Sequence, residues 1–297
     1  MNTRPGTPVI RRPLECRWSP AEVALALRDE PGLVALSGAW FGGGAVVAHS
    51  PGWTAGPGSG VDPFDLLDEA GLDGTPRGDE MGAGPVGGGI VGFLGYQAGA
   101  LVERLPAPPP RPHPMPAWHL AHYDHVLHLD REGQWWFEAL AGHRSDAWVE
   151  RRAAELDRRL AGAPPRPTEV GTTPFAATPT GSDHRKAVAR TIEHIRAGDI
   201  YQANVCLRLD AQILRGSALD LWATAALRTG PDYAAYLALG DRAVASLSPE
   251  RFLRRVGRDV ATSPIKGTRP RVGPEAERMR SQLAGSGKIT GQDPRAH

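Results

Sequence analysis

Over the first hundred residues, short apolar runs alternate with turn-forming clusters. Ser19 stands where a helix cap belongs, ahead of a helical segment over Ala21–Leu27, and Leu33–Leu36 and Ala45–Ala48 have the length of buried strands. Gly88–Tyr96 (GGIVGFLGY) is a further apolar run in which Gly92 and Gly95 permit close backbone approach or a bulge. Seven prolines among the eleven residues Pro106–Pro116 predict an extended spacer. His119–Leu129 and Trp135–Leu140 flank the turn Asp130–Gly133 and predict a hairpin, and Ser145 caps a helix to Leu160 with Trp148, Leu156 and Leu160 facing inward. After the unperiodic stretch Gly162–Gly181, Ser182 and Asp183 open a helix with Val188, Ile192 and Ile195 on one face and Gly198 at its end. Ile200–Ala211 alternates as a strand, and Ser217 opens a helix to Arg228. Tyr233–Leu239 and Ala243–Leu247 predict strands turning at Gly240–Asp241. Pro249 predicts a short helix to Arg254, and Arg258–Ser263 leads into Pro264–Arg271.

The 297 residues suggest about two domains. With 41% hydrophobic residues, 36 Gly and 28 Pro, the composition is that of an α/β or α+β protein rich in loops. The charges nearly cancel (34 basic, 33 acidic), and no one-signed tail points to nucleic acid or an anionic membrane. Met81–Val102 carries no charge, but eight of its residues are Gly, which rules against a membrane span. Cys16 and Cys206 form neither a disulfide framework nor a zinc motif, and the N-terminus has no apolar signal region, so a cytoplasmic location is expected.

Several motifs invite chemistry. Gly87, Gly89 and Gly92 spell G-x-G-x-x-G, but no amphipathic helix follows and no acidic residue stands about twenty positions on, so a packed glycine-rich strand is expected instead of a dinucleotide site. His119, His122, His125 and His128 recur every third residue. On one continuous strand they alternate between faces, so at most two converge and solvated histidines are expected rather than a metal site. In Pro264–Arg271 (PIKGTRPR), Lys266 lies between an apolar residue and Gly267. Arg269 and Arg271 can grip carboxylates, and their charge favours a neutral, nucleophilic amine on Lys266. A basic surface loop reads equally well from spacing alone. Ser248-Pro249-Glu250 puts a carboxylate at a helix start, and Gly198–Asn204 sets Gln202 on a strand.

Taken together, AGDIYQANVCLRL (Ala197–Leu209), SLSPERFLRRVGRDVATSPIKGTRPR (Ser246–Arg271), GGIVGFLGY and HYDHVLHLD resemble the chorismate-utilising enzymes, from about Ala35 to about Lys288. Among them the likeness is to the aminodeoxychorismate synthases, which serve 4-aminobenzoate and folate synthesis. The resemblance implies two-layer β-sheets with helices outside, an N-terminal region over 1–165, a linker over 166–181 and a chorismate-binding domain over 182–297. It implies that Lys266 attacks C2 of chorismate, where anthranilate synthases carry Ala, and that Glu250 protonates the departing C4 hydroxyl, a role asking for partial burial. Gln202 occupies the position of a water-activating lysine in isochorismate and salicylate synthases, which favours an amine nucleophile over water. Thr268 and Arg269 are implied in holding the substrate. A glutaminase partner would supply ammonia, and Mg²⁺ would hold the C1 carboxylate. The N-terminal region resembles the family's tryptophan-binding part.

The family continues past this chain with the glutamates that hold Mg²⁺ and with further glycine-rich strands, so the chain is expected to be truncated. KITGQ at Lys288–Gln292 reads as a frame-slipped Lys-Asp-His-Arg-Ala. Poor solubility and negligible activity by itself are expected. The competing readings are an anthranilate synthase component and a non-catalytic fragment that binds a partner or ligand.

Overall fold

In the computed structural model, which describes residues 8–40, 43–70, 85–107, 115–256, 259–263, 277–278 and 281, the chain opens with β1 (Val9–Pro13) and α1 (Pro20–Ala26). Ser19 makes a full capping box with Glu22: its hydroxyl accepts the Glu22 N–H and its own N–H donates to the Glu22 carboxylate at 2.7 Å. Next come β2 (Val34–Gly38), β3 (Gly44–Ala48), β4 (Trp53–Ala55), α2 (Pro63–Glu69), β5 (Gly89–Leu94) and a 3-10 turn over Tyr96–Leu101. Residues 108–114, most of the expected proline spacer, lie outside the described residues. Then follow β6 (Trp118–Tyr123), β7 (His125–Leu129), β8 (Trp135–Leu140) and α3 (Asp146–Arg159), which Ser145 caps as expected.

The remaining elements are β9 (Gly171–Thr172), β10 (Ala176–Thr178), α4 (Gly181–Ala197), β11 (Arg208–Asp210), β12 (Ile213–Arg215), α5 (Ala218–Thr229), β13 (Tyr233–Leu239), β14 (Arg242–Ser248), β15 (Arg251–Val256) and β16 (Asp259–Ser263). Two compact units result. One is formed by the stretches that end at Arg166 and resume at Trp222, the other by Pro167–Leu221. This grouping takes strands from both sides of the expected 166–181 linker into one sheet, because β13 lies antiparallel against β2. The linker itself carries β9 and β10, which pair with β12 and β11.

The first unit is built on a seven-stranded sheet in the order β1-β8-β7-β3-β2-β13-β14 and a three-stranded sheet β4-β6-β5. Period-two alternation gives the large sheet two apolar faces. One packs on α1 and α3 through Val23, Leu25, Val149 and Leu156. From the other face, Val34, Leu36, Val46, Val126 and Leu237 meet Ala121 and Tyr123 of β6, with Val91 and Phe93 of β5 at the margin. Stacked sheets with helices outside are the expected architecture. In the Pro167–Leu221 unit α4 is capped by Thr180, two residues before the expected Ser182, and ends at Gly198 in the left-handed conformation (φ 83°). It buries no residue, and Ile192 and Ile195 stay exposed.

Three sequence expectations need correction. The apolar run His119–Leu129 is two strands in different sheets, broken at Asp124, whose carboxylate accepts from His125 Nδ1 at 2.7 Å and Arg144 Nε at 2.9 Å. The break changes which histidines share a face, and His122, His125 and His128 are buried, not solvated. Ile200–Ala211 is extended strand only over Arg208–Asp210, where β10 provides a partner. The segment after Pro249 is strand, not helix. A hydroxyl that accepts the N–H two residues on fits a helix cap and a tight turn equally, and here Arg251–Val256 satisfies its backbone against β16.

Gly92 owes its identity to strand packing. A Cβ there would stand 1.9 Å from the His119 carbonyl oxygen and 2.9 Å from Leu120 Cα, both backbone atoms of the neighbouring strand. Gly92→Ala is therefore expected to cost about 1–3 kcal/mol, measured as a lowered urea midpoint at unchanged slope. An unchanged midpoint would show that β5 can move away from β6 at no cost.

Candidate active site

The expected site residues fall on three stretches. Lys266, Thr268 and Arg269 lie outside the described residues. Glu250 is described in the first unit and Gln202 in the second.

The hairpin β13–β14 runs in strict register from Leu239↔Arg242 to Tyr233↔Ser248 and delivers the chain to Ser248. There the Ser248 hydroxyl accepts the Glu250 N–H at 3.1 Å and donates to the Glu250 carbonyl at 2.9 Å, which turns the chain directly into β15. β15 pairs with β16 so that Arg251 faces Ser263 and Val256 faces Asp259, with an irregularity between Arg251 and Arg254. Arg251 Nη2 also donates to Ser263 Oγ at 2.8 Å. This ribbon brings Glu250 and the residue that leads into Pro264–Arg271 to the same end, although they are far apart in sequence. Glu250 is exposed, in contrast to the partial burial expected of a proton donor.

Gln202 is exposed on irregular backbone between α4 and β11, not on the expected strand. The segment is tied back to α4 by His184 Nε2, which lies 3.0 Å from the Val205 carbonyl oxygen, and by His194 Nδ1, which lies 2.8 Å from Asp199 Oδ2.

The structure also shows buried polar groups that the sequence reading did not single out. Glu138 is fully buried between the sheets. It accepts the Val86 and Gly87 N–H groups at 2.7 and 2.9 Å, lies 3.1 Å from His128 Nδ1, and forms an ion pair with Arg11 Nε at 2.8 Å without hydrogen-bond alignment. The glycine-rich segment is thus anchored by a carboxylate, which would repel a pyrophosphate rather than cradle one. On the helix-covered face, His49 and His125 lie edge to face with ring centroids 5.1 Å apart. The signal available for both clusters was Asp124 between two His-bearing triplets, where a change of face was the alternative to one long strand.

The chorismate binding enzyme family matches residues 62–290. The chain belongs to that family. Anthranilate synthase component 1 of Thermus thermophilus is 36% identical over 205 residues, covering 66% of this chain and 43% of its own length. Aminodeoxychorismate synthase component 1 of Salmonella typhimurium is 30% identical over 209 residues, covering 69% and 44%. Among solved structures, anthranilate synthase component I of Streptococcus pneumoniae superimposes with a TM-score of 0.65 at 22% identity, over 83% of this chain and 58% of its own. The menaquinone-specific isochorismate synthase of Escherichia coli gives 0.56 at 17%, over 96% and 61%. These two likenesses establish a chorismate-utilising fold, and the chain spans less than half the length of the curated relatives it matches.

Family membership thus comes with relatives of two names. Among the described residues no helix is long and apolar enough to cross a membrane, and no group of three or more His, Cys, Asp or Glu side chains is placed to hold a metal ion.

Proposed function

We propose that this chain is the aminating component of an aminodeoxychorismate synthase, which converts chorismate and ammonia to 4-amino-4-deoxychorismate, with a glutaminase partner as the ammonia source. The observation that carries the reading is Lys266 in Pro264-Ile265-Lys266-Gly267-Thr268. A lysine there offers an amine nucleophile within a basic, substrate-gripping loop. In the proposed reaction its neutral amine bonds to C2 of chorismate, the ring double bond shifts, and the C4 hydroxyl departs as water with a proton from Glu250. Ammonia then bonds to C4, the double bond returns, and the Lys266 amine is expelled. Arg269 and Thr268 hold the substrate, and Gln202 leaves no basic group to activate water in the amine's place. Glu250, exposed here, needs the bound substrate to cover it before it can deliver that proton.

The family resemblance implies Mg²⁺ on the substrate carboxylate. The described residues provide no cluster fit to hold it.

A second reading, anthranilate synthesis, is favoured by the name of the relative at 36% identity. Incubation of the chain, extended by the C-terminal part that the family resemblance implies, with chorismate, Mg²⁺ and ammonium, followed by mass spectrometry, separates the two. 4-Amino-4-deoxychorismate together with an adduct on Lys266 is the expected result. Fluorescent anthranilate without an adduct would favour the second reading. No turnover, with chorismate binding also absent by calorimetry, would sink both.

A further inference from the structure

We propose that the packing of α3 on the large sheet is an acid-released latch, held shut by a buried histidine, His49, that fits the interface only while it is neutral. His49 follows β3 directly and is 1% exposed. Its Nε2 lies 3.3 Å from Nη2 of Arg152 on α3, and its Nδ1 lies 3.0 Å from Ser50 Oγ. A guanidinium only donates hydrogen bonds, so Nε2 must accept with its lone pair and the ring proton must sit on Nδ1. A second proton on Nε2 would set two donors of like charge face to face.

Among the described residues, the surroundings leave no counter-charge to spare. Glu30, between α1 and β2, approaches His49 Nδ1 at 3.6 Å but already holds Arg152 at 3.4 Å and pairs with Arg159. Arg152 is also bound to Glu155 at 2.6 Å, and Arg159 Nη2 donates to the Ala26 carbonyl at 2.8 Å. Two guanidiniums thus meet two carboxylates. From β7, His125 stands against the His49 ring, while its neighbour Asp124 is engaged by His125 and Arg144. Trp148 of α3 closes the cluster with its ring 5.3 Å from that of His125. Beneath these groups Val149, Ala153 and Leu156 fill the apolar seam, so release of α3 exposes both the seam and the histidines.

Burial, and after it the charges of His125 and Arg152, pull His49 down to about 3 from its ordinary 6.5. A depressed histidine favours the closed interface above 6.5 and loses that advantage as the pH falls, because the open state binds a proton that the closed state refuses. Between pH 7.5 and pH 5 the opening equilibrium of α3 should rise about thirtyfold. The factor is insensitive to how far below 5 the folded value lies.

The test is hydrogen exchange of the full chain read on α3 peptides at both pH values, corrected for intrinsic exchange. The parent should lose about thirtyfold protection, while His49→Gln, which still accepts from Arg152, should lose little. Equal loss in both proteins, or none in the parent, would overturn the latch. Should His49→Gln fail to fold, imidazole nitrogen shifts of the parent serve instead: His49 remaining neutral at pH 5 in the closed state is the expected result, and titration near 6.5 with α3 still protected refutes the proposal.

Discussion

Replacing Glu138 by alanine is expected to destabilise the protein by about 3–5 kcal/mol, because a buried charge network that loses one partner keeps the desolvation cost of the rest. The substitution leaves the Val86 and Gly87 N–H groups, His128 Nδ1 and the Arg11 guanidinium without their common acceptor, between two sheets. Arg11 would keep its stacking over Trp136, 4.1 Å from the ring centroid, but with its charge uncompensated. Glu138→Gln keeps one acceptor oxygen and should lose less. Burial alone would raise the Glu138 carboxyl, but the hydrogen bond and charge of His128, with the Gly87 and Val86 N–H groups, together hold it below its ordinary 4.5. A lowered carboxyl stabilises fully above its unfolded value and loses that contribution as the pH falls through its folded value. The gap between parent and Glu138→Ala should therefore be largest near neutral pH and close in strong acid. Urea unfolding followed by circular dichroism measures both; a difference within about 1 kcal/mol at pH 7 would mean that water reaches the cluster.

Lys266→Ala is expected to cut 4-amino-4-deoxychorismate formation by about a thousandfold or more, on the scale of removing a nucleophile that acts within a catalytic unit. In the proposed reaction the lysine forms and breaks a bond while Arg269 and Thr268 would still grip the substrate, so the loss should fall on kcat. Lys266→Arg keeps the positive charge without a neutral amine and should fail equally, which separates nucleophile from counter-charge. Full turnover by either variant in the glutaminase-coupled enzyme would refute the covalent role. Because anthranilate synthases carry alanine here, the product spectrum of Lys266→Ala also tests whether this position divides the two reactions.

The sequence was most legible where local chemistry decides structure. Ser19 and Ser145 cap their helices, Gly198 ends α4, and the hairpins β7–β8 and β13–β14 turn where Gly133 and Gly240 stand. It was least legible where a distant partner decides. Asp124 ends β6 because β6 and β7 answer to different sheets, and Arg251–Val256 is strand because β16 lies opposite. The irregular backbone at Gln202 has the same origin, since alternating residues make a strand only over the length a neighbour covers. For the site, Lys266 and Glu250 were expected from the family resemblance, since spacing alone left the Lys266 loop even with a basic surface loop. The ribbon register that brings Glu250 and Ser263 to one end, and the burial of Glu138 and His49, depend on partners distant in sequence.

The pairing of β13 with β2 also sets a timetable. Trp40 Nε1 reaches the Ala234 carbonyl at 3.0 Å across 194 positions. At ~5–20 residues per second, β2 leaves the ribosome roughly ten to forty seconds before the strand that covers its edge. Throughout that interval the half-built sheet offers its unpaired backbone to any neighbouring chain, so the yield of folded protein depends on synthesis outrunning aggregation.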